Sequence, residues 1–161
     1  MTLIRTAAGI VHAIAPHWLY KLMHRENLGR SLRIGPEDRV CITFADNLRV
    51  WSLEGRLKAT WTHIPHEVGG GAGRGSEARY AVAKALGLIA GSGDYVFVAP
   101  DGPGGWIEAK RPKDGKSAAG RLNPAQVMFR DWCALAGVRY EVMHSPEEGE
   151  AILKKWGMLD G

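Results

Sequence analysis

The sequence predicts an α/β fold: a small mixed β-sheet flanked by helices. Three observations carry this. The chain has 161 residues, 45% hydrophobic and 24% charged, which suits one domain with one core. From residue 36 onward, stretches with helical apolar spacing interleave with short β-rich runs, in the order helix, strand, helix, strand, strand, helix, strand, helix. Two of those runs sit back to back across turn chemistry, which requires an antiparallel pair within the sheet.

Residues 1–34 read as a basic N-terminal helical extension, broken near Pro16, and residues 35–161 as the main domain. In the extension Arg5, Lys21, Arg25, Arg30 and Arg33 outnumber the acid Glu26, so it serves either as a packing or dimerisation helix or as a nucleic-acid contact. The first domain helix opens at Pro36, a residue suited to a first helical position, with Glu37 and Asp38 at the positive end of the helix dipole. Val40, Cys41, Phe44, Leu48 and Trp51 then recur at three- and four-residue spacing and form its apolar face. "TWTHIPHE" is β-prone, and "VGGGAGRGS" reads as a glycine loop. Ser76 and Gly87 are the expected cap and stop of the next helix. "DYVFVAP" and "WIEAK" are two strands joined by the turn residues of "DGPGG". Asn123 and Pro124 open a further helix that stops at Gly137; "VRYEVMH" is the last strand; Ser145 and Pro146 open the closing helix.

A net charge of +4 and a pI near 9.2 are compatible with a polyanionic partner. Cys41 and Cys133 are the only cysteines, and they lie in apolar stretches, as buried thiols of a reducing compartment do. The apolar run from Ala7 to Ala15 is short and interrupted by His12, so no membrane span is expected and the chain reads as soluble, intracellular and cytoplasmic. Several motifs fail on inspection. "DGKS" lacks the glycine a phosphate loop needs five residues before Gly115, where Lys110 stands. His63 and His66 have no second ligand pair for zinc, and "HEVGG" is not a zinc-protease helix.

The chemistry-bearing stretch is "GDYVFVAPDGPGGWIEAKRP". Side chains alternate along a strand, so Glu108 and Lys110 share one face. With a turn at Asp101–Gly105, Asp94 at the start of the first strand comes back beside them. Spacing alone favours an inter-strand surface salt bridge. The chemical alternative is a divalent cation between two carboxylates that would otherwise repel. Asp94, Glu108 and the Ala109 carbonyl offer the oxygen half-shell that Mg²⁺ takes, and Lys110 is placed to orient a nucleophilic water or hold a phosphate. Trp106 and Trp132 read as core residues rather than base-stacking groups.

An Asp, a turn and Glu-x-Lys on the next strand resemble the signature of the PD-(D/E)xK nuclease superfamily. Within it, the stretch from Glu37 to Leu159 resembles the VRR-NUC nucleases. The matching segments, in order, are "GSGDYVFV", "WIEAKRP", "RLNPAQVMF", "LAGVRYEVMHSPEEG" and "KKWGML", with "THIPHE" resembling the segment that commonly ends in Pro-Asn-Glu. The resemblance covers about three-quarters of the chain. Gly93 stands where many relatives have proline, and His66 where asparagine is common.

The resemblance implies a restriction-endonuclease-like core and catalytic roles for Asp94, Glu108, Lys110 and Gln126. It implies Mg²⁺ or Mn²⁺ held by Glu37, Asp94, Glu108 and Ala109, with Glu54 the second choice for the helix acid. Without it, Glu37 is an ordinary dipole partner and Gln126 a solvated helix residue. Without it, too, Lys110, Arg111 and Lys113 are an ordinary basic edge; with it, Lys110, Arg111, Lys113 and His63 become nucleic-acid contacts. The expected activity is metal-dependent endonucleolytic hydrolysis of DNA, duplex or branched, by a structure-selective homodimer of the Holliday-junction or flap type. A catalytically silent nucleic-acid-binding module is the alternative.

Overall fold

The computed structural model describes residues 2–6, 9–13, 15–27, 34–65, 74–100, 102, 104–115 and 117–161. The glycine loop with His66, and the turn residues Asp101 and Pro103, lie outside them.

The N-terminal stretch departs from the helical expectation. Thr2–Thr6 (β1) and Gly9–Ala13 (β2) form an antiparallel hairpin, with Thr2 opposite Ala13 and Thr6 opposite Gly9. Thr2, Ile4, Thr6, Ile10 and Val11 are β-branched, and their restricted χ1 favours a strand over a helix. Helix appears only after Pro16, as the six-residue α1, His17–Leu22.

From Pro36 on, the element order follows the expectation. Helix α2 is Pro36–Glu54, β3 Thr60–His63, α3 Arg74–Ala85, β4 Tyr95–Val98, β5 Gly105–Ala109, α4 Pro124–Leu135, β6 Arg139–Met143 and α5 Pro146–Lys155. Helix α3 begins two residues ahead of the expected Ser76 cap. Strands β3-β4-β5-β6 form a four-stranded sheet in that order, mixed in direction.

The chain divides into two compact units. The first comprises residues 1–60, 109–120 and 143–161. Its core is built on α2, which buries Val40, Phe44, Leu48 and Trp51 at helical spacing, while Cys41 stays half-buried. Asp38 accepts a hydrogen bond from Gly35 N–H at 3.1 Å at the start of α2, and Gly55, at φ +72°, ends it. Helix α5 approaches α2 where Gly149 leaves no room for a side chain: a Cβ there would lie 2.5 Å from Phe44 Cε2 and 2.8 Å from Met143 Sδ. Ala15, Leu19, Tyr20 and Met23 pack around the buried Leu53. The C-terminal segment is tied to the stretch after α2, with Lys58 N–H donating to Met158 O at 2.8 Å and Asp160 N–H to Arg56 O at 3.1 Å.

The second unit comprises residues 61–108 and 121–142. Tyr95, Phe97, Ile107, Phe129 and Cys133 are its buried apolar residues. Phe129 of α4 sits edge-on to Trp106 of β5, ring centroids 5.3 Å apart. Trp132 does not join the core as expected: it is 54% exposed and stands on the rim of an apolar pocket of about 390 Å³ lined by Leu88, Trp106, Phe129 and Cys133 among others. Both cysteines are free thiols, and burial pushes that of Cys133 up.

Candidate active site

Strands β4 and β5 pair antiparallel, with Tyr95 opposite Ile107, Val96 opposite Trp106 and Phe97 opposite Gly105. Continued by one residue, this register sets Asp94 directly opposite Glu108. Residues directly opposite in an antiparallel pair project to the same face, Cβ atoms roughly 5 Å apart. The hairpin thus brings the two predicted carboxylates together. Asp94 is half-buried, whereas Glu108 is only 1% exposed. Gly93, just before Asp94, runs close to β5: a Cβ there would sit 3.2 Å from Trp106 Cβ and 3.3 Å from Ile107 O. A small residue at this position lets the acid reach the strand edge.

Gln126 reaches the same place from α4. Asn123 caps this helix, its Oδ1 accepting from Gln126 N–H at 3.0 Å, and Asn123 N–H donates to Gln126 Oε1 at 2.9 Å. This reciprocal pair is a capping box, with glutamine in the third helical position. The other end of the same amide, Nε2, donates to Glu108 Oε1. Gln126 therefore joins the helix start to the buried acid. The turn before β4 is shaped to receive that helix start. Gly91 is at φ +83°, and a Cβ on it would fall 2.3 Å from the Ala125 carbonyl carbon and 2.6 Å from Gln126 N. Only glycine fits.

Tyr140 of β6 was not singled out by the sequence. Its hydroxyl is buried and has no hydrogen-bond partner among the described residues. Burial raises its pKa well above the ordinary tyrosine value, and the neighbouring carboxylates of Glu108 and Asp94 add to the rise, as does Cys133; Arg130 opposes it. The phenol therefore keeps its proton and remains a donor. Which residue of β6 turns toward β5 depends on strand order and register, and one-dimensional alternation cannot supply either.

The remaining predicted residues fall out as follows. Lys110 follows β5 and is 7% exposed, its N–H donating to Met143 O at 2.8 Å. Glu37, in the first turn of α2, accepts from Arg111 N–H through Oε2 at 2.9 Å. Glu54 lies at the far end of α2, roughly 25 Å along the axis from Glu37 at 1.5 Å per residue, and pairs with Arg56 at 3.3 Å. Of the two helix acids, only Glu37 meets the chain beside Lys110. Arg111 donates through Nη2 to Ala118 O at 2.8 Å, and Lys113 is exposed. His63, also exposed, lies edge-on to Tyr95 at 5.0 Å.

Comparison of the chain with protein-family models, with curated proteins and with solved structures found no match. The site must therefore be read from its own chemistry. Among the described residues no group of three or more His, Cys, Asp or Glu side chains is arranged to hold a metal ion. Asp94 and Glu108 are a pair of oxygen donors on one face. In kind they fit a hard cation such as Mg²⁺, which takes one or two carboxylates and keeps several waters. Among the described residues, no helix is long and apolar enough to cross a membrane.

Proposed function

We propose that the chain is a Mg²⁺- or Mn²⁺-dependent nuclease that hydrolyses DNA phosphodiester bonds, with a restriction-endonuclease-like core of the VRR-NUC kind. The observation that carries the reading is Glu108. A carboxylate that is 1% exposed is strongly disfavoured unless it is neutralised or coordinates a cation, and it stands opposite a second carboxylate, Asp94. The residue sequence around it, Glu-x-Lys after a turn and an Asp, supports the same chemistry. A bound cation supplies positive charge at the phosphate and acidifies a coordinated water.

The chain's own residues do the rest. Asp94 and Glu108 provide the oxygen ligands. Gln126 holds Glu108 in one orientation, so the site is formed before substrate arrives. Lys110, two residues after Glu108, offsets negative charge that builds on the phosphate oxygens in the transition state. Arg111, Lys113 and His63 contact the nucleic-acid backbone. The substrate we favour is branched DNA, four-way junction or flap, cut by a homodimer.

The test is cleavage of junction, flap, single-stranded and duplex DNA by the purified chain in Mg²⁺ and in Mn²⁺. Cleavage is expected, and Glu108→Ala should abolish it while DNA binding persists. A Glu108→Ala variant that cuts at the parental rate removes the site assignment. A parent that binds DNA, never cuts it and gains no thermal stability from Mn²⁺ is a silent binding module instead.

A further inference from the structure

Helix α3 buries almost nothing. Of its described side chains, residues 78–85, all are exposed except that of Ala83, which is half-buried. A helix of 12 residues is marginal in water by itself and owes its stability to the packing of an apolar face. Such a face is present and bare. Leu86 N–H donates to Val82 O at 2.9 Å, so these two lie one turn apart on one side, with Ile89 just beyond. Helix α4, in the same compact unit, repeats the pattern. It buries Phe129 and Cys133 on its inner face, while Met128, Trp132 and Leu135 share an outer one at four- and three-residue spacing. All six of these large apolar residues are between 49% and 88% exposed. The two stripes meet at one place, because Ile89 and Trp132 both line the apolar pocket of about 390 Å³.

We propose that this face of α3 and α4 binds the same face of a second copy of the chain, forming a two-fold symmetric dimer. Area is the first argument. Weighted by exposure, the six side chains present on the order of 700 Å² of apolar surface, above the roughly 300–600 Å² of the largest patch on a typical monomer and close to the roughly 800 Å² that each partner brings to a standard interface. Shape is the second. A two-fold axis sets a surface against itself, which suits a patch that carries a cavity and, beside it, side chains that project. Leu135 of each copy then faces the pocket of the other. Charge is the third. On α4 the exposed charges beside the stripe, Arg130 and Asp131, bond each other at 2.8 Å, so the stripe neither repels its own copy nor attracts a polyanion. The same helix carries Gln126, whose Nε2 donates to Glu108, so the interface and the acid site share one element. The dimer's place in cleavage rests on the nuclease reading above; the association itself needs neither metal nor DNA.

The test is sedimentation velocity of the purified chain without metal or DNA, from about 1 to about 100 μM, the weak end of what standard interfaces give. The mass should approach twice the 17.6 kDa of the chain. Leu135→Arg and Leu86→Arg should each still melt cooperatively and weaken association by at least about 100-fold, since the symmetry counts each substitution twice and leaves a buried cation unpaired. In the parent, hydrogen exchange at residues 78–86 should slow as the dimer forms. A parent that stays at the mass of one chain overturns the proposal and gives the face to another kind of partner. Species that grow beyond two copies overturn the two-fold arrangement. Variants that dimerise with parental affinity overturn the surface. Should a variant fail to fold, the parent decides: exchange at 78–86 that does not change as the dimer forms overturns the proposal. A dimer lost in both variants that cuts no DNA upholds the interface and removes the nuclease reading; a monomer that cuts DNA does the reverse.

Discussion

Replacing Gln126 by alanine tests whether one amide couples a helix start to the buried acid. The side chain makes two bonds besides the cap that its backbone receives: Asn123 N–H to Oε1 at 2.9 Å, which is exposed, and Nε2 to Glu108 Oε1, which is part-buried. A hydrogen bond to a charged group contributes about 1.5–3 kcal/mol, and an exposed neutral one about 0.5–1 kcal/mol. Freeing the glutamine side chain returns roughly 1 kcal/mol of rotamer entropy. The expected net loss is about 2 kcal/mol. Urea denaturation followed by far-UV circular dichroism, in the absence of metal, gives this number. A cycle with Glu108→Leu isolates the pair, and the coupling should be about 1.5–3 kcal/mol. Asn123→Ala is the comparison: it removes the cap, about 1 kcal/mol, while the Nε2 bond to Glu108 stays, so its coupling to Glu108→Leu should be smaller than that of Gln126→Ala. A coupling of Gln126 to Glu108 under about 0.5 kcal/mol, within ordinary additivity error, refutes the reasoning. The amide would then be a helix cap alone.

Two further substitutions probe close backbone approaches. Gly149→Ala should cost about 1–3 kcal/mol by overpacking against Phe44 and Met143, read by the same denaturation; an unchanged midpoint would mean that α5 shifts freely. Gly91→Ala meets backbone rather than a flexible side chain and also strains a left-handed φ of +83°. It should lose about 2 kcal/mol or more and lower cleavage along with it, because Gln126 must move; full activity at reduced stability would separate the turn from the site.

The order of elements from Pro36 onward is legible because each boundary has its own local chemistry. Pro36, Asn123 and Ser145 start helices and Gly55 ends one, all decided within a few residues. The hairpin acids are legible for the same reason: alternation and a short turn bring Asp94 and Glu108 to one face without knowledge of the rest of the chain. The N-terminal hairpin departs from the helical reading because β-branched residues and a pairing partner eleven residues or fewer away decide for strand. Trp132 is misread because apolar spacing on α4 shows which residues share a face but not where the pocket rim cuts it. Tyr140 and the Gln126–Glu108 bond depend on how strands and helices meet, and nothing local encodes that.

What separates β5 from an ordinary buried strand is its pattern of burial. Ile107, Glu108, Ala109 and Lys110 are all buried, so both faces of the strand end are covered. Strands covered on both faces normally read as continuous apolar runs. Here every second residue carries a formal charge. Two apolar residues in those places would give a more stable sheet, since a buried ion group seldom repays its desolvation against well-packed hydrophobic side chains. The chain instead holds Glu108 with the amide of a capping residue on α4, and that helix start in turn needs a glycine at position 91. Three local devices, each explicable alone, converge on one carboxylate. A sheet selected for stability alone would have no reason to maintain that convergence; a site that must hold a carboxylate in one orientation has one.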